Sequence, residues 1–397
     1  MKLPRVVYWN NQPTPYLTAR LNAVVAQGKV DVQGWFDVER EPDRSWDFEP
    51  SEWDFPATVL PRARIGLCRF PLPSADLLIK PIDILITPMD RVTGAAAALV
   101  GRAIANRVAS RTLPVAETWN GKRLRSEVAY RFLYRSIDGA KTSGEQAAEM
   151  AERYGLPRSR IWNVTQAVDL DLYGSATRIE KSEVAEFRRE HAMHGCTFIY
   201  VGRLAKGKGV NFLIDAFRDL TNRGVDASLV VLGNGEDEDA IRAQVGAMGN
   251  VTFVGFVQPL ALPPWYAAAD VLVFPTLGDS NGLVVEEAMA AGLPVISTEN
   301  AGDIRTRVLE GETGFVVPAF DVHALSDKMG VLALDEELRR EMGIQAIESA
   351  RRFSVDNYAS DFAEFVEGLL SQPPRSNPCA SAARVAGQAL LYAARPT

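Results

Sequence analysis

Short β-rich runs alternate with helix-like stretches along almost the whole chain, and they do so in two successive sets. The first set reads Val6–Trp9, Val30–Phe36, Ile82–Thr87, Leu113–Glu117 and Ile161–Thr165, with helical stretches such as Ala95–Val108 and Leu124–Ser136 between them. The second reads Thr197–Val201, Ser228–Leu232, Val251–Val254, Asp270–Pro275, Leu293–Thr298 and Gly314–Val317. A strand that must pair parallel with the next needs a crossover, and a helix supplies it. The expectation is an α/β chain of two Rossmann-like doubly wound domains, residues 1–175 and 176–354, facing across a cleft. From Asp169 to about Glu190 strand character gives way to polar residues, which marks the linker. Residues 355–371 are expected as a helix returning to the first domain; after the proline-rich break Gln372–Pro378, residues 372–397 are expected as a tail, frayed or a short surface helix.

Composition narrows the function. With 397 residues, 47% apolar and 23% charged, the chain is neither disordered nor collagen-like, and it is long enough for two ordinary domains. No apolar run reaches the roughly 18 residues of a spanning helix, and the first residues do not read as a cleaved leader, so a cytoplasmic protein is expected. Cys68, Cys196 and Cys379 are too far apart for a CxxC clip or a disulfide framework. The front 175 residues hold 23 Lys/Arg against 20 Asp/Glu, the remainder 20 against 30. Such an acidic chain without a basic stripe is not expected to bind nucleic acid.

The most informative segment runs from Val271 to Ile296. A buried strand ends at Pro275, a polar loop carries Asp279, Ser280, Asn281 and Gly282, and a helix runs to a stop at Gly292. The free backbone N–H groups near Gly282 and Leu283, at the positive end of the helix, suit a phosphate. Asp279 before the turn and Glu287 on the first helical turn suit sugar hydroxyls, because a carboxylate only accepts. About seventy residues upstream, the strand Thr197–Val201 runs into Gly202-Arg203-Leu-Ala-Lys206-Gly207-Lys208-Gly209. These residues stop one short of a nucleotide-hydrolase loop, and a glycine stands where its magnesium-holding Ser/Thr would be. Asp237-Glu-Asp239 and Asp169-Leu-Asp171 read as structural, as does His191-Ala-Met-His194. No metal site is expected.

Taken together, Asp279-x7-Glu287 and Gly202-Arg203-Leu...Lys208 resemble the signatures of the retaining, nucleotide-sugar-dependent glycosyltransferases of GT-B fold, family 4 (group 1 glycosyltransferases). The likeness extends through Val254-Gly255, Trp265–Asp270, Ala301-Gly302-Asp303 and Gly311–Val317, covering roughly Phe198 to Leu325. It implies a metal-independent hexosyltransferase that uses a nucleotide-diphosphate sugar as donor and needs no further cofactor. Gly202, Arg203, Lys208 and the segment Asp279–Val284 would hold the donor, with Arg203 and Lys208 neutralising its diphosphate, Asp279 the hexose and Glu287 the ribose. Asp279 stands where the family usually has Glu, one methylene shorter.

In the first domain, Trp9-Asn10-Asn-Gln12-Pro-Thr-Pro-Tyr16...Arg20 resembles the opening of bacterial members that build surface polysaccharides or glycolipids. Loops at the carboxyl ends of strands take ligands in doubly wound sheets, so Asn10, Gln12, Tyr16 and Arg20 are acceptor candidates, with helix capping and packing as the plainer reading. Many family members place a His after the fifth strand of this domain. This chain has none there, and Glu117 is the candidate for that place. The acceptor expected is a sugar, a glycolipid or a small molecule. The basic, aromatic stretch Lys122–Arg135 suits either a helix covering the sheet or peripheral contact with the inner face of a membrane.

Overall fold

The computed structural model describes residues 2–39, 46, 50–65, 68–89, 92–112 and 123–393. They group into two units. Unit 1 takes the residues up to 112, 123–166 and everything from Val355; unit 2 takes Ala167–Ser354. The division thus falls at Gln166, nine residues before the 1–175 boundary read from composition. The polar stretch from Asp169 to Glu190 is not an extended linker but folds as helices within unit 2.

Unit 1 is built on strands β1 (Arg5–Asn10), β2 (Asp31–Phe36), β3 (Ala57–Val59), β6 (Ile82–Pro88), β7 (Ala105–Thr112), β8 (Gly139–Thr142) and β9 (Ile161–Asn163), with a small hairpin of β4 (Arg62–Ile65) and β5 (Cys68–Pro71). The seven form a parallel sheet in the order β3-β2-β1-β6-β7-β8-β9. Its crossovers are α1 (Pro15–Ala26), α2 (Val92–Ile104), α3 (Arg123–Ser136) and α4 (Glu145–Arg153). Thr14 starts α1 by accepting from the Leu17 N–H at 3.1 Å, and Pro15 fits the first helical turn. Leu17, Leu21 and Val24 then face inward at helical spacing.

One helix is shorter than its sequence expectation. Helix α2 ends at Ile104 rather than Val108, and β7 begins at once; Leu113–Glu117 lies outside the described residues. Val108, Ser110 and Thr112 are buried on alternate positions of β7, and their small polar members hide the strand from a reading based on apolar runs. Ser110 and Thr112 satisfy each other and Tyr134 through hydroxyl contacts of 2.7 and 3.0 Å.

Unit 2 repeats the theme with β10 (Cys196–Val201), β11 (Ala227–Leu232), β12 (Val251–Gly255), β13 (Val271–Phe274), β14 (Val295–Thr298) and β15 (Gly314–Val317). Its helices are α5 (Leu170–Gly174), α6 (Lys181–Glu190), α7 (Val210–Asn222), α8 (Glu238–Val245), α9 (Pro263–Ala268), α10 (Val284–Ala290), α11 (Ile304–Arg307), α12 (Val322–Leu334) and α13 (Glu336–Ala350). The parallel order is β12-β11-β10-β13-β14-β15. From β10 the chain builds outward to β11 and β12, then returns to lay β13 on the other side of β10. That reversal is the switch point, and the loops leaving the carboxyl ends of β10 and β13 flank it.

The chain ends on unit 1 with α14 (Val355–Ser371) and α15 (Pro378–Ala393). Tyr8 stacks on Phe362, with centroids 6.5 Å apart, and Trp162 meets Phe365 edge-on at 5.6 Å. Of the two forms expected for the last residues, frayed or a short surface helix, the chain takes the helix, and α15 packs on α2 and α3. Small residues Ala380, Ala383 and Gly387 repeat along one face of α15 and let it lie close on α2. Buried Asp138 anchors the preceding turn, accepting from the Arg375 N–H at 2.7 Å and pairing with Arg102 at 2.5 Å. Among the described residues, no helix is long and apolar enough to cross a membrane.

Candidate functional site

Two loops at the switch point of unit 2 meet through their backbones. The turn after β10 closes at Gly209, in the left-handed region at φ +69°, where a Cβ would lie 1.9 Å from the Pro275 carbonyl oxygen. This glycine lets the lysine-bearing turn rest on the end of β13. Leu277 N–H donates to the Gly207 carbonyl at 3.0 Å, and the Thr276 hydroxyl to the same oxygen at 3.2 Å. Gly209→Ala is expected to destabilise unit 2 by about 2 kcal/mol and to shift Lys208, which thermal unfolding and a donor titration on the same variant would register together.

The second loop turns at Gly282, φ +65°, over the ring of Phe274, where a side chain would collide at 2.4 Å. Asp279 shapes its start. One carboxylate oxygen accepts from the Asn281 N–H at 3.0 Å, and the other receives the Lys208 ammonium. Burial works to raise the Asp279 pKa, but the Lys208 ammonium and the Asn281 N–H outweigh it, leaving the group below its ordinary value. Lys208 and Asp279 are 29% and 17% exposed, so the pair is partly open to a ligand.

Helix α10 then starts with no side-chain cap. Among the described residues, the N–H groups of Gly282, Leu283 and Val284 have no acceptor. Three donors beside an ammonium suit a phosphate oxygen. Ser280 lies in the same turn, half-buried.

The remaining candidates take different surroundings. Gly202 follows β10 directly, and Arg203, 37% exposed, pairs with Glu236 at 3.0 Å while Lys208 alone of the two reaches Asp279. Tyr200 holds the Arg203 backbone, its hydroxyl donating to the carbonyl at 2.7 Å. Glu287 lies on the first turn of α10, 1% exposed, and accepts from the Tyr266 hydroxyl at 2.8 Å. Asp169 caps α5 and Asp239 lies in the first turn of α8, both structural positions. His191 packs between Phe187 and Trp265, and among the described residues no group of three or more His, Cys, Asp or Glu could hold a metal.

Three residues were missed in the sequence. Tyr266 orients Glu287, and the buried pair Glu286–Arg307, 1% and 4% exposed with 2.8 Å between them, ties the loop down. Arg307 also donates to the Gly302 carbonyl at 3.1 Å and the Gly282 carbonyl at 3.4 Å. The signal was the Glu286-Glu287 doublet itself. Neighbours on a helix point about 100° apart, so a doublet among buried residues calls for two different partners.

In unit 1, Asn10 ends β1, buried, with its Nδ2 donating to the Gln12 carbonyl at 3.1 Å. Gln12 is buried too. Tyr16, on the first turn of α1, meets Trp46 edge-on at 6.1 Å. Arg20 is buried, donating from Nε to the Tyr16 carbonyl at 2.8 Å. Glu117 lies outside the described residues.

Comparison with known proteins matches residues 195–335 to the family described as Glycosyl transferases group 1. The D-inositol 3-phosphate glycosyltransferase of Corynebacterium glutamicum (strain R) is 33% identical over 228 residues, 54% of this chain and 53% of that protein. The alpha-D-kanosaminyltransferase of Streptomyces kanamyceticus is 29% identical over 202 residues, 50% of this chain and 51% of that protein. The chain thus spans about half the length of the curated relatives it matches. Among solved structures, Anabaena Alr3699/HepE in complex with UDP-glucose superposes with a TM-score of 0.73 at 16% identity, covering 93% of this chain and 100% of that one.

Proposed function

We propose that the chain is a group 1 glycosyltransferase of GT-B fold that moves a hexosyl group, with retention, from a nucleotide-diphosphate sugar to an acceptor hydroxyl. The observation that carries this reading is the Lys208 ammonium beside three unpartnered N–H groups at the switch point of unit 2. Breaking a sugar–phosphate bond sends negative charge onto the leaving diphosphate while the sugar carbon becomes oxocarbenium-like. Fixed donors that meet this charge lower the barrier selectively. Lys208 leaves Asp279 for the diphosphate as the donor binds, and Asp279 is then free to accept from hexose hydroxyls. Arg203 turns from Glu236 to the second phosphate, and Glu287, held by Tyr266, accepts from the ribose. The leaving phosphate takes the acceptor proton, and no metal takes part.

Unit 1 holds the acceptor through Asn10, Gln12, Tyr16 and Arg20, with Glu117 steadying the developing positive charge. The acceptor is a growing surface polysaccharide, a glycolipid or a small polar molecule, and the work is done in the cytoplasm, with peripheral membrane contact for a lipid-linked acceptor. Thermal-shift screening against UDP-, GDP- and ADP-sugars, followed by product analysis with an acceptor panel, tests the reading. Stabilisation by one donor class and acceptor-dependent release of its nucleotide are expected. Donor binding without turnover across the panel would instead indicate a sugar-nucleotide-binding protein, and sugar released or isomerised without acceptor a hydrolase or epimerase.

A further inference from the structure

Strand β8 is buried along its whole length, yet it carries a lysine: Lys141 is 2% exposed. The sheet register sets Lys141 beside Arg111 of β7, and paired residues of parallel strands turn their side chains to the same face. Tyr8 of β1 lies on that face as well, since Tyr8 pairs with Ile86, Ile86 with Ala109 and Ala109 with Gly139, two residues before the Arg111–Lys141 row. Helix α14 covers it. The Lys141 ammonium lies 4.7 Å from the ring centroid of Tyr358, and the Arg20 guanidinium carbon lies 5.4 Å from the same centroid. Three cations from α1, β7 and β8 therefore converge under one tyrosine.

Their charge is not balanced. Among the described residues, none of the three has an ion-pair partner, and their one hydrogen bond runs from Arg20 Nε to the Tyr16 carbonyl. Arg111 Nε is buried without an acceptor. Asp361 on α14 acts on Lys141 only from beyond ion-pair distance. Burial, then Arg20 and Arg111, push the Lys141 ammonium well below the usual lysine range. Burying like charges is expensive, and the face of one tyrosine offsets little of it.

We propose that Arg20, Arg111 and Lys141 form a subsite for an oxyanion, the phosphate or carboxylate of the acceptor. The inference rests on unit 1 binding the acceptor and goes further, in requiring that acceptor to be anionic. The cluster lies at the carboxyl ends of β7 and β8, where parallel sheets take their ligands. Guanidinium and ammonium groups are the side chains that hold such oxygens most strongly.

Inorganic phosphate is the first probe, against chloride at equal ionic strength. Phosphate is expected to raise the Tm of the full chain by roughly 3 °C or more at saturation. Lys141→Met and Arg111→Met should each match or exceed the wild-type Tm in chloride, because a buried like charge is removed, and each should weaken phosphate binding about 10-fold or more. Lys208→Ala should keep the phosphate response. Glucose 6-phosphate and glucuronate, with glucose as the neutral control, separate a phosphate from a carboxylate. A Tm loss in chloride for Lys141→Met, with the phosphate response retained, would make the lysine a structural partner and overturn the subsite. A response lost only in Lys208→Ala would also overturn it. Phosphate binding abolished in Lys141→Met, in a chain that transfers sugar to no acceptor, would uphold the subsite and defeat the transferase reading; transfer to neutral acceptors with no phosphate response would do the reverse.

Discussion

Lys208→Ala lowers kcat by a factor of about 100 or more while the fold persists, because one preorganised cation at a site of developing charge is worth that much. The ammonium sits on a short turn between Gly207 and Gly209, and its partner Asp279 is fixed by a second bond from the Asn281 N–H. Both side chains keep some access to solvent, so the loss of the pair costs little stability. Arg203→Ala should act more weakly, since that guanidinium is more exposed and already engaged with Glu236. The pH dependence has a definite sign. Asp279 has its folded value depressed, so the stability it contributes is present above its unfolded value near 3.8 and is lost as pH falls through the lower folded value. Asp279 should therefore add no limb to the activity profile between pH 5 and 8. Single-turnover release of nucleotide from the preferred donor, measured for wild type and variant across that range, checks both expectations. Turnover at the wild-type rate in Lys208→Ala would remove the lysine from the mechanism.

The rear sheet was legible because its strands are near-continuous apolar runs. Val271–Phe274 and Gly314–Val317 are buried at every position, and the unbroken apolar run between turn residues locates them. The loops between were legible for a second reason: the positive φ at Gly209 and Gly282 requires glycine, which punctuates the sequence where the backbone must turn. The front sheet was read less well. Strand β8 reads Gly-Ala-Lys-Thr, and no period-based rule places a lysine in a fully buried strand. The same substitution of charge for bulk that hid β8 is what makes Lys141 informative once its surroundings are known. Strand β7 begins inside the stretch that reads as helical to Val108, because Ser110 and Thr112 are satisfied by each other and Tyr134, a three-way arrangement that no local window contains. The sequence leaves α15 open between a frayed tail and a short surface helix because its inward stripe is Ala380, Ala383 and Gly387, too small to register as an apolar face. Close approach to another helix uses residues of that size.

Removing Arg307 should be the most destabilising single change at the site. Glu286 and Arg307 are both almost wholly buried, and one Glu286 oxygen has no partner besides. Arg307→Met leaves a carboxylate in an apolar shell, for which about 3–5 kcal/mol of lost stability is expected, roughly 10 °C in the Tm of unit 2. The double variant Glu286→Leu with Arg307→Met should regain most of it, since the pair as a whole is worth far less than the cost of orphaning one member. Burial already raises the Glu286 pKa above its ordinary value, with Arg307 opposing the rise. Without the arginine it climbs further. The folded chain then binds more protons than the unfolded chain once pH exceeds 4.5, so the stability of Arg307→Met must fall as pH rises through that window. A larger Tm deficit at pH 8 than at pH 5 is the measurable sign. The Gly282 and Gly302 carbonyls lose their shared anchor at the same time, so donor binding should weaken even at pH 5. The double variant separates the two effects: its Tm recovers but its donor affinity does not, because neither leucine nor methionine can donate to those carbonyls. Full recovery of donor affinity would show that the phosphate-binding turn holds its shape without Arg307.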